Sequence, residues 1–332
     1  MKKSLLFALA AGLFAVLPAV KAQSSYTVID LGSLGGSSGG AATGVNQSGQ
    51  VVGYSYINNT DYHAFLYRGG QMMDLGTLAT FSSVATGINK SAQVVGYSYV
   101  ETTNAFTPHA FLYSGGKMVD LGTLGGYYSA AFGINNLGSI VGGAYNASNE
   151  ERAFLYSGGK MQDLGTLGSN YSHANGINTA NQVVGDAGTA SNATHAFLYS
   201  GGSMIDLGTL PGANYSDAFG INDRGQVVGQ AQTNTGDYHA FLYSGGPLRD
   251  LGTLTGGNSV AYSIDKQGQV VGVSGSSAFI YSHGKMTDLN SLIAPGSGWT
   301  LNGATGINQA GQIVGFGSHN GQTAPFLLTP VP

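Results

Sequence analysis

The chain has 332 residues, a formal net charge of −4 and only 8 % charged residues, so it has no basic stripe with which to displace counterions from nucleic acid. It contains no cysteine, which excludes disulfides, thiolate chemistry and cysteine-ligated metals. Its 55 glycines, beside 42 % hydrophobic residues, predict many tight turns between short strands around a large core.

The first 22 residues have the pattern of a bacterial secretory signal peptide. Two lysines at positions 2 and 3 precede an apolar run over 5–19, and small residues at 20 and 22 form a cleavage site. We therefore expect a signal peptide over 1–22 and a mature domain over 23–332 that is secreted or extracellular, with the cell surface or the periplasm as further destinations. A retained membrane helix is the alternative, but the run is shorter than the roughly 20 residues that a span needs. After cleavage, we expect no transmembrane anchor.

Internal repetition dominates the rest of the chain. Three anchor residues recur seven times each, at intervals of about 43 residues. The aspartate of a D-L-G segment lies at Asp30, Asp74, Asp120, Asp163, Asp206, Asp250 and Asp288. The asparagine of G-I-N, once replaced by aspartate, lies at Asn46, Asn89, Asn135, Asn178, Asn222, Asp265 and Asn308. The phenylalanine of A-F-L-Y lies at Phe65, Phe111, Phe154, Phe197, Phe241, Phe279 and Phe326.

Each repeat contains four strand candidates, in the order A-x-G-I-N, Q-V-V-G, H-A-F-L-Y and M-x-D-L-G-T-L. An x-x-G turn separates the first two and an S-G-G turn the last two. The interval from the asparagine anchor to the glycine of V-V-G is 7 residues in all seven repeats, and the interval from the phenylalanine anchor to the next aspartate is 9 residues in the six repeats where it can be counted. The other two connections vary in length. Successive connections of an antiparallel meander alternate between the strand ends. Both fixed hairpins therefore lie on one face, the hairpin face, and both variable loops on the opposite face, the loop face, where binding usually occurs.

The A-F-L-Y and V-V-G strands are apolar at successive positions, so both sides of each sheet must be covered. Stacking seven sheets around an axis covers them, and closure removes the unpaired edges that an open solenoid leaves. The mature chain begins with a lone fourth strand over 26–32 and ends with a third strand over 325–328. We therefore predict a single all-β domain: a seven-bladed β-propeller of four-stranded antiparallel blades, closed by the N-terminal strand, which completes the last blade.

The H-A-F-L-Y segments at 63–67, 109–113, 195–199 and 239–243, each followed by D-L-G-T-L, resemble the HAF family of bacterial extracellular repeat proteins. The resemblance covers about 26–328 and implies an exported repeat protein without an established reaction. Three repeats depart at the histidine position, with Arg152, Ser277 and Ala324. The segment 328–332 resembles the lead-in to a PEP-CTERM sorting tail whose motif, helix and basic end are missing, so the resemblance favours free secretion or a truncated chain.

Residues that recur in every blade favour structural roles. The D-L-G aspartates are expected to accept hydrogen bonds in turns or between blades, and the asparagine anchors to stabilise hairpin corners. The repeat histidines lie in different blades, so pairing with a nearby aspartate is expected rather than a shared metal ion. The tripeptides Asp61–His63 and Asp237–His239 are either small donor–acceptor sites or traces of blade duplication. Carboxylates are too few on each blade for the oxygens that calcium requires. We predict no metal and no cofactor.

Motifs for a nucleophile elbow, a zinc protease or a phosphate loop are missing from the sequence. Aromatic residues instead precede G-I-N in five of the seven repeats, at Phe81, Tyr128, Tyr171, Tyr215 and Trp299. Such rings suit sugar faces or a protein partner, or fold back as plugs between blades.

These features favour an exported, non-catalytic binding module that recognises a glycan or an envelope protein through its loop face. The candidate ligand-binding residues are Phe81, Tyr128, Tyr171, Tyr215, Trp299, Asp61, His63, Asp237 and His239. Two alternatives stay open. One is a polysaccharide hydrolase or lyase whose acids come from Asp61, Asp186, Asp217 or Asp237, and the other is a structural component of an extracellular matrix.

Overall fold

The computed structural model describes residues 25–36, 39–101 and 106–331, so the expected signal peptide and its cleavage site lie outside the described residues. Within these ranges, 28 strands form seven four-stranded antiparallel sheets, the blades of a ring. A short 3-10 helix, Leu289–Leu292, follows the sixth blade. The all-β, seven-bladed propeller is confirmed. No helix in the described part of the chain has the length and hydropathy needed to cross a membrane.

In six blades the four strands run in chain order from the central channel outward, and in the seventh the N-terminal strand β1 is the outer one. The first strands are β2 (Gly40–Val45), β6 (Ser83–Ile88), β10 (Gly125–Ile134), β14 (Gly168–Ile177), β18 (Ser216–Ile221), β22 (Ser259–Ile264) and β26 (Trp299–Ile307). The second strands are β3 (Val51–Tyr56), β7 (Val94–Glu101), β11 (Ile140–Asn146), β15 (Val183–Thr189), β19 (Val227–Gln232), β23 (Val270–Ser274) and β27 (Ile313–His319). The third strands are β4 (Tyr62–Arg68), β8 (Phe106–Ser114), β12 (Glu151–Ser157), β16 (Thr194–Ser200), β20 (Tyr238–Tyr243), β24 (Ser277–Ser282) and β28 (Gln322–Pro330). The outer strands are β5 (Gln71–Asp74), β9 (Lys117–Asp120), β13 (Lys160–Asp163), β17 (Ser203–Asp206), β21 (Arg249–Asp250), β25 (Lys285–Asp288) and β1 (Tyr26–Asp30).

The ring closes through the two ends of the domain. Strand β1 pairs antiparallel with β28, with Tyr26 opposite Pro330 and Asp30 opposite Phe326. The N-terminal strand therefore completes the last blade, as predicted. Strand β1 continues along the chain into β2 of the first blade. Its hydrogen bonds to β28 of the seventh blade therefore close the ring without a covalent link.

Hydrophobic contacts between blades account for the apolar runs in the second and third strands. The phenylalanine of A-F-L-Y is fully buried in all seven blades. Buried hydrophobic clusters fill each of the seven junctions between neighbouring blades. The junction between the last and first blades is included, where Val314 and Leu327 pack with Ala42 and Phe65. Both sides of each sheet are thus covered, which removes apolar surface from water around the whole ring.

The glycine of V-V-G is required by the close approach of the first strand. In the fourth blade, a Cβ on Gly185 would overlap the backbone carbonyl of His173. The first strand bulges at this level, since its register shifts between Ala174 and Gly176. The equivalent glycines of the other blades meet first-strand backbone in the same way. A side chain at this position is therefore incompatible with the hairpin. The glycine must keep the same place in each hairpin, which accounts for its fixed distance from the asparagine anchor.

The asparagine anchors form the hairpin corner and also join neighbouring blades. Asn46 Oδ1 accepts hydrogen bonds from the N–H groups of Ser48 and Gln50, both at 3.0 Å. Its Nδ2 donates to the carbonyl of Asn89 in the next blade at 3.1 Å. The same bond occurs from Asn89 to Asn135, Asn135 to Asn178, Asn178 to Asn222, Asn222 to Asp265 and Asn308 to Asn46. Six of the seven junctions carry it, and the remaining one has Asp265 in the donor position.

Buried serines form a second set of links between blades. Ser129, in the first strand of the third blade, is fully buried. Its Oγ accepts from the N–H of Ala110 at 2.9 Å and donates to the carbonyl of Gly122 at 2.6 Å, both in the preceding blade. The serines that make the same pair of bonds are Ser83, Ser172, Ser216 and Ser259. These hydroxyls satisfy backbone groups that are shielded from water.

Candidate functional site

The repeat histidines lie at the outer edge of their blades, beside the D-L-G aspartate of the neighbouring strand. His63 Nδ1 lies 2.9 Å from Asp74 Oδ2, and His239 Nδ1 lies 2.8 Å from Asp250 Oδ2. The same pairs form between His109 and Asp120 and between His195 and Asp206. The aspartates also accept the N–H two residues further on, as from Gly76 to Asp74 at 2.7 Å. The structure therefore shows the structural roles expected of both residue types.

The blades that lack the repeat histidine use different partners for the same aspartate. In the third blade, Arg152 Nε lies 3.7 Å from Asp163 Oδ2. In the seventh blade, His319 of β27 takes over and lies 2.7 Å from Asp30 Oδ2. Asp288 of the sixth blade accepts the N–H at the start of the 3-10 helix. Across the described ranges, no group of three or more histidine, aspartate or glutamate side chains is placed to hold a metal ion.

Asp61 and Asp237 do not meet the histidines two residues after them. Asp61 accepts a hydrogen bond from the side chain of Asn58 within the β3–β4 loop at 2.8 Å. Asp237 is exposed and accepts a bond from the hydroxyl of Thr235 at 3.3 Å. The two tripeptides therefore lie in separate blades, and neither brings its carboxylate to its imidazole.

All five loop aromatics are half-buried, and four pack against another ring. Phe81 packs on Phe106, Tyr128 on Tyr145, Tyr215 on Tyr238 and Trp299 on His319, with ring centroids 3.9, 5.2, 5.4 and 4.6 Å apart. The fifth, Tyr171, lies near Asp186, and burial together with the charge of that carboxylate raises the pKa of its phenol. The partner ring of Phe81 is itself 50 % exposed. These rings are thus neither plugs buried between blades nor isolated side chains.

A belt of tyrosines runs along the loop face across the first three blades. We call it the tyrosine belt and define it as Tyr54, Tyr56, Tyr62, Tyr97, Tyr99 and Tyr128. The ring of Tyr62 lies 5.5 Å from those of both Tyr54 and Tyr56, edge to face. Burial and the neighbouring hydroxyl of Tyr99 raise the pKa of Tyr62, so these two tyrosines of the first and second blades lie close together. The belt therefore presents fixed aromatic rings with polar hydroxyls over several blades.

A cleft opens in the belt between the second and third blades. It has a volume of about 220 Å³. Its lining residues are Tyr97, Tyr99, Pro108, Tyr128, Ala130 and Phe132. Four aromatic rings in one concavity give a ligand both apolar faces and hydroxyl partners.

Titratable side chains gather beside this cleft, where the third, fourth and fifth blades meet. We call Glu151, His173, Asp186 and Asp217 the carboxylate cluster. The ring of Phe132, a wall of the cleft, lies 4.6 Å from that of His173. The nitrogens of His173 lie 4.0 Å from a carboxylate oxygen of Glu151 on one side and of Asp186 on the other. These separations exceed hydrogen-bond length.

The fourth blade connects the cluster to the fifth. Asn175 Nδ2 donates to Asp217 Oδ1 and to the carbonyl of Ala218, both at 3.0 Å. Asp186 is 6 % exposed and Asp217 8 % exposed. Two buried carboxyl groups of adjacent blades therefore lie close enough to influence each other's ionisation.

Burial changes the ionisation of every member of the cluster. It raises the pKa of Asp186 to about 7, opposed by the neighbouring Tyr171 hydroxyl and reinforced by the charge of Glu151. Burial, together with the charge of Asp186, raises the pKa of Asp217 well above its usual value. Burial alone raises the pKa of Glu151 and lowers that of His173 to about 4. His173 is therefore neutral at physiological pH and supplies no positive charge to the carboxylates.

The sequence contained a signal for this cluster in the aligned repeats. Asp186 follows V-V-G, a position held elsewhere by Tyr54, Tyr97, Gly143, Gln230, Val273 and Phe316. Asp217 lies directly opposite Gln230 in the ladder of the fifth blade. Asp186 therefore occupies the position after V-V-G in the fourth blade, and Asp217 lies opposite that position in the fifth. Two acids placed in this way indicate a shared site once it is known which side of each strand faces the neighbouring blade. Gly143 leaves the space that the ring of His173 occupies, because a Cβ there would overlap that ring.

Two further cavities, of about 270 and 200 Å³, lie along the central channel. The residue before the asparagine anchor lines both in all seven blades, at Val45, Ile88, Ile134, Ile177, Ile221, Ile264 and Ile307. The first cavity opens among the fixed turns of the hairpin face, which carry Lys90 and Asp223. Polar side chains of the turns also line the first cavity, but no described aromatic residue lines it, and the second cavity has two, Phe219 and Tyr262. The cleft has four aromatic rings, so for a ligand that stacks on rings the loop face is the stronger candidate.

No family model matches the sequence, and no curated protein matches it. Several solved β-propellers are similar in fold. A gluconolactonase from Xanthomonas campestris is 12 % identical, with a TM-score of 0.47 over 92 % of this chain and 90 % of that one. A WD40 propeller domain is 15 % identical, with a TM-score of 0.48 over 92 % and 96 %. A lectin from Burkholderia pseudomallei is 10 % identical, with a TM-score of 0.48 over 93 % and 98 %. At such identities the likeness concerns the fold alone.

Proposed function

We propose that this propeller is a non-catalytic module that binds polysaccharide through the tyrosine belt on its loop face. The observation that carries the proposal is the set of fixed rings across three blades, with the cleft between Tyr99 and Tyr128 at the third-blade end of the belt. The apolar faces of sugar rings stack on aromatic side chains, and their hydroxyls bond to phenols and amides. A belt that crosses several blades suits an extended polymer better than a single small molecule.

The rigidity of the belt adds to its suitability for binding. Tyr97 and Tyr99 pack edge to face at 6.2 Å, and Tyr127 and Tyr128 both pack on Tyr145, at 5.1 and 5.2 Å. Rings that are already held by their neighbours lose little conformational freedom when a ligand binds. Tyr127 is 50 % exposed, so the belt has free aromatic surface at its edge.

The test is saturable binding on an array of polysaccharides and envelope proteins, followed by titration of the best ligand. Tyr99→Ala and Tyr128→Ala are each expected to weaken binding about 10-fold, which corresponds to about 1.4 kcal/mol. Trp299→Ala and Tyr171→Ala should weaken it as well if the polymer follows the loop face around the ring. The matched control is Tyr156→Ala, a half-buried tyrosine beside the hairpin face.

Three results would contradict the proposal. One is an array without glycan binding, including the case in which only an envelope protein binds. Another is a loss of affinity in Tyr156→Ala as large as in the belt variants. The third is shortening of the bound polymer, which would show that the module is catalytic. Thermal unfolding of each variant separates lost contacts from lost folding.

We also propose that the protein is exported and belongs with the HAF-repeat proteins. The support is the lysine-flanked apolar run over 5–19 and the four H-A-F-L-Y segments. Intact mass measurement of the chain expressed in a bacterium with its own N-terminus should give a mature protein that begins at Gln23. A chain that retains residues 1–22 and stays in the cytoplasm would contradict export.

A further inference from the structure

The seventh blade departs from the repeat in three features. Its connection from Asp288 to Asn308 spans 20 residues, whereas 15 or 16 residues separate the same anchors in the other six repeats. Trp299, the only tryptophan of the chain, begins its first strand. Ala324 stands in place of the repeat histidine, and His319 of β27 pairs with the blade's aspartate instead. The other six blades fold without this combination, so building a blade does not require it.

The three features meet at a cavity beside the outer strand of this blade. Its volume is about 340 Å³, against about 220 Å³ for the cleft of the tyrosine belt. Strand β1 forms one wall, and the long connection forms another with Ala294 and Ser297. Asp30, Trp299 and His319 line the space as well. Among the described residues, none belongs both to this lining and to the tyrosine belt, so the cavity is a separate candidate site.

Trp299 and its neighbours form a fixed group. The rings of Trp299 and His319 are stacked, with centroids 4.6 Å apart and an angle of 4° between their planes. His319 Nδ1 lies 2.7 Å from Asp30 Oδ2, and Asp30 Oδ1 accepts the N–H of Gly32 at 2.8 Å. The buried ring of Phe326 packs on Trp299, edge to face, with centroids 6.0 Å apart. Groups held in this way lose little conformational freedom when a ligand binds.

The cavity presents polar groups next to an aromatic ring. The contact with Asp30 occupies Nδ1 of His319, so Nε2 is the nitrogen left for a ligand. A carboxylate has about four lone-pair sites, and the two contacts of Asp30 leave room for further donors. Thr27 and Ser297, which carry hydroxyls, also line the space. Among the described lining residues, Asp30 is the one acid, and lysine and arginine are missing, so an anionic ligand would be uncompensated.

We propose that this cavity is a second binding site, which holds one uncharged pyranose sugar. Trp299 packs against the apolar face of the sugar ring, and Asp30 and His319 bond to its hydroxyls. The indole gives a large, rigid apolar surface, and sugar hydroxyls satisfy the acceptors without adding charge. The inference goes beyond the proposed function, because it does not require the tyrosine belt to bind a polymer.

Trp299 is the chain's only tryptophan, so its fluorescence reports on this cavity in the intact protein. The probes are the methyl glycosides of glucose, galactose, mannose and N-acetylglucosamine, with glucuronic acid at neutral pH as the anionic comparison. At least one glycoside should change the emission saturably, with a dissociation constant of about 1 mM, as expected for a ligand of this size. Glucuronic acid should bind at least 10-fold more weakly.

Variants locate the sugar within the protein. Asp30→Asn should weaken binding of the best glycoside at least 10-fold. Its matched control is Asp74→Asn, which changes the same anchor in the first blade, beside His63, and should leave the affinity unchanged. Tyr99→Ala should also leave it unchanged, since the belt is separate from the cavity. Thermal unfolding of each variant separates a lost contact from lost folding.

Each outcome decides. Emission that no glycoside changes overturns the inference, and so does an equal loss of affinity in Asp30→Asn and Asp74→Asn. Tetramethylammonium chloride tests for a cation, which an aromatic ring beside a carboxylate also attracts, and a response to this salt alone overturns the inference. Should Asp30→Asn unfold, Ser297→Ala decides instead, with about 3-fold weaker binding expected and unchanged binding as the contrary result. Binding of polysaccharide to the belt is measured separately on the array, so either proposal can fail alone.

Discussion

Replacing Asp265 with asparagine is expected to complete the ring of hydrogen bonds that the asparagine anchors form on the hairpin face. At six junctions the side-chain amide donates to a carbonyl of the next blade over 2.9–3.2 Å. At the junction of the sixth and seventh blades the corresponding side chain is the carboxylate of Asp265, which has no hydrogen to donate when ionised. It is only 2 % exposed, so water cannot readily take the place of the missing partner.

The expected gain follows from the equivalent turns. Asn222 Nδ2 donates to the carbonyl of Asp265 at 2.9 Å and to Gln226 Oε1 at 2.9 Å. An asparagine at 265 would make the same two bonds, to the carbonyl of Asn308 and to the side chain of Gln269. In the natural protein, Asp265 Oδ1 accepts the N–H of Gln269 at 2.8 Å. The amide oxygen of an asparagine would accept the same bond, so the turn itself should persist in the variant. At about 0.5–1.5 kcal/mol for each bond, Asp265→Asn should stabilise the protein by about 1–3 kcal/mol.

The gain should depend on pH. Burial raises the pKa of Asp265 against the hydrogen bonds of its turn, so the folded state binds this proton more tightly than the unfolded state. The contribution of Asp265 to the stability of the natural protein is therefore complete below the pKa that this group has in the unfolded state. It is lost as the pH rises through the pKa that the group has in the folded state. A protonated Asp265 is itself a donor. The difference between Asp265→Asn and the natural protein should thus be small near pH 3.5 and largest at pH 7.

Scanning calorimetry at the two pH values is the assay, with an expected rise in Tm of about 2–6 °C at pH 7. Asn222→Asp is the matched control, since it introduces the same defect at another junction and should lower Tm by a similar amount. The reasoning is refuted if Asp265→Asn is no more stable than the natural protein at pH 7. It is equally refuted if the stabilisation is the same at both pH values.

Three further predictions concern the scaffold. Ser129→Ala should lower the free energy of unfolding by about 1–3 kcal/mol in denaturant titration, since two buried backbone groups lose their partner. Ala92→Gly should raise it by about 1 kcal/mol, because Ala92 has a φ of 56° where five of the other six blades have glycine and the fourth has Asn181. The hydrogen bond to Asp120 raises the pKa of His109 despite burial, so His109→Gln should destabilise by about 0.2–1 kcal/mol at pH 5.5 and by almost nothing at pH 8.5. A loss of stability in His109→Gln that grows with pH would contradict the pairing.

The architecture could be predicted from the sequence because it depends on repetition. Seven copies of the same three anchors define seven sheets, and the unpaired strands predicted over 26–32 and 325–328 define the closure, which β1 and β28 form. The turn roles of the repeated asparagines and aspartates follow from local chemistry that each residue type shows elsewhere. None of this requires knowledge of which side of a strand faces which neighbour.

The carboxylate cluster could not be predicted in the same way, since it forms between blades. Glu151, Asp186 and Asp217 are 35 and 31 residues apart in turn, and the sequence placed them among scattered acids. Their proximity depends on the first-strand bulge near Gly176 and on the empty space at Gly143, which let His173 lie between blades. The replacement of the repeat histidine by His319 of another strand is equally invisible without the blade geometry.

The central claim, that the loop face of the first three blades holds the polysaccharide, is tested most directly by hydrogen exchange with and without a bound polymer. Peptides that cover 54–62, 97–101 and 127–132 should exchange more slowly in the complex, while the turns of the hairpin face at 46–50 and 222–226 should not change. Slowed exchange confined to the hairpin face or the central channel, with no change in the tyrosine belt, would contradict the account.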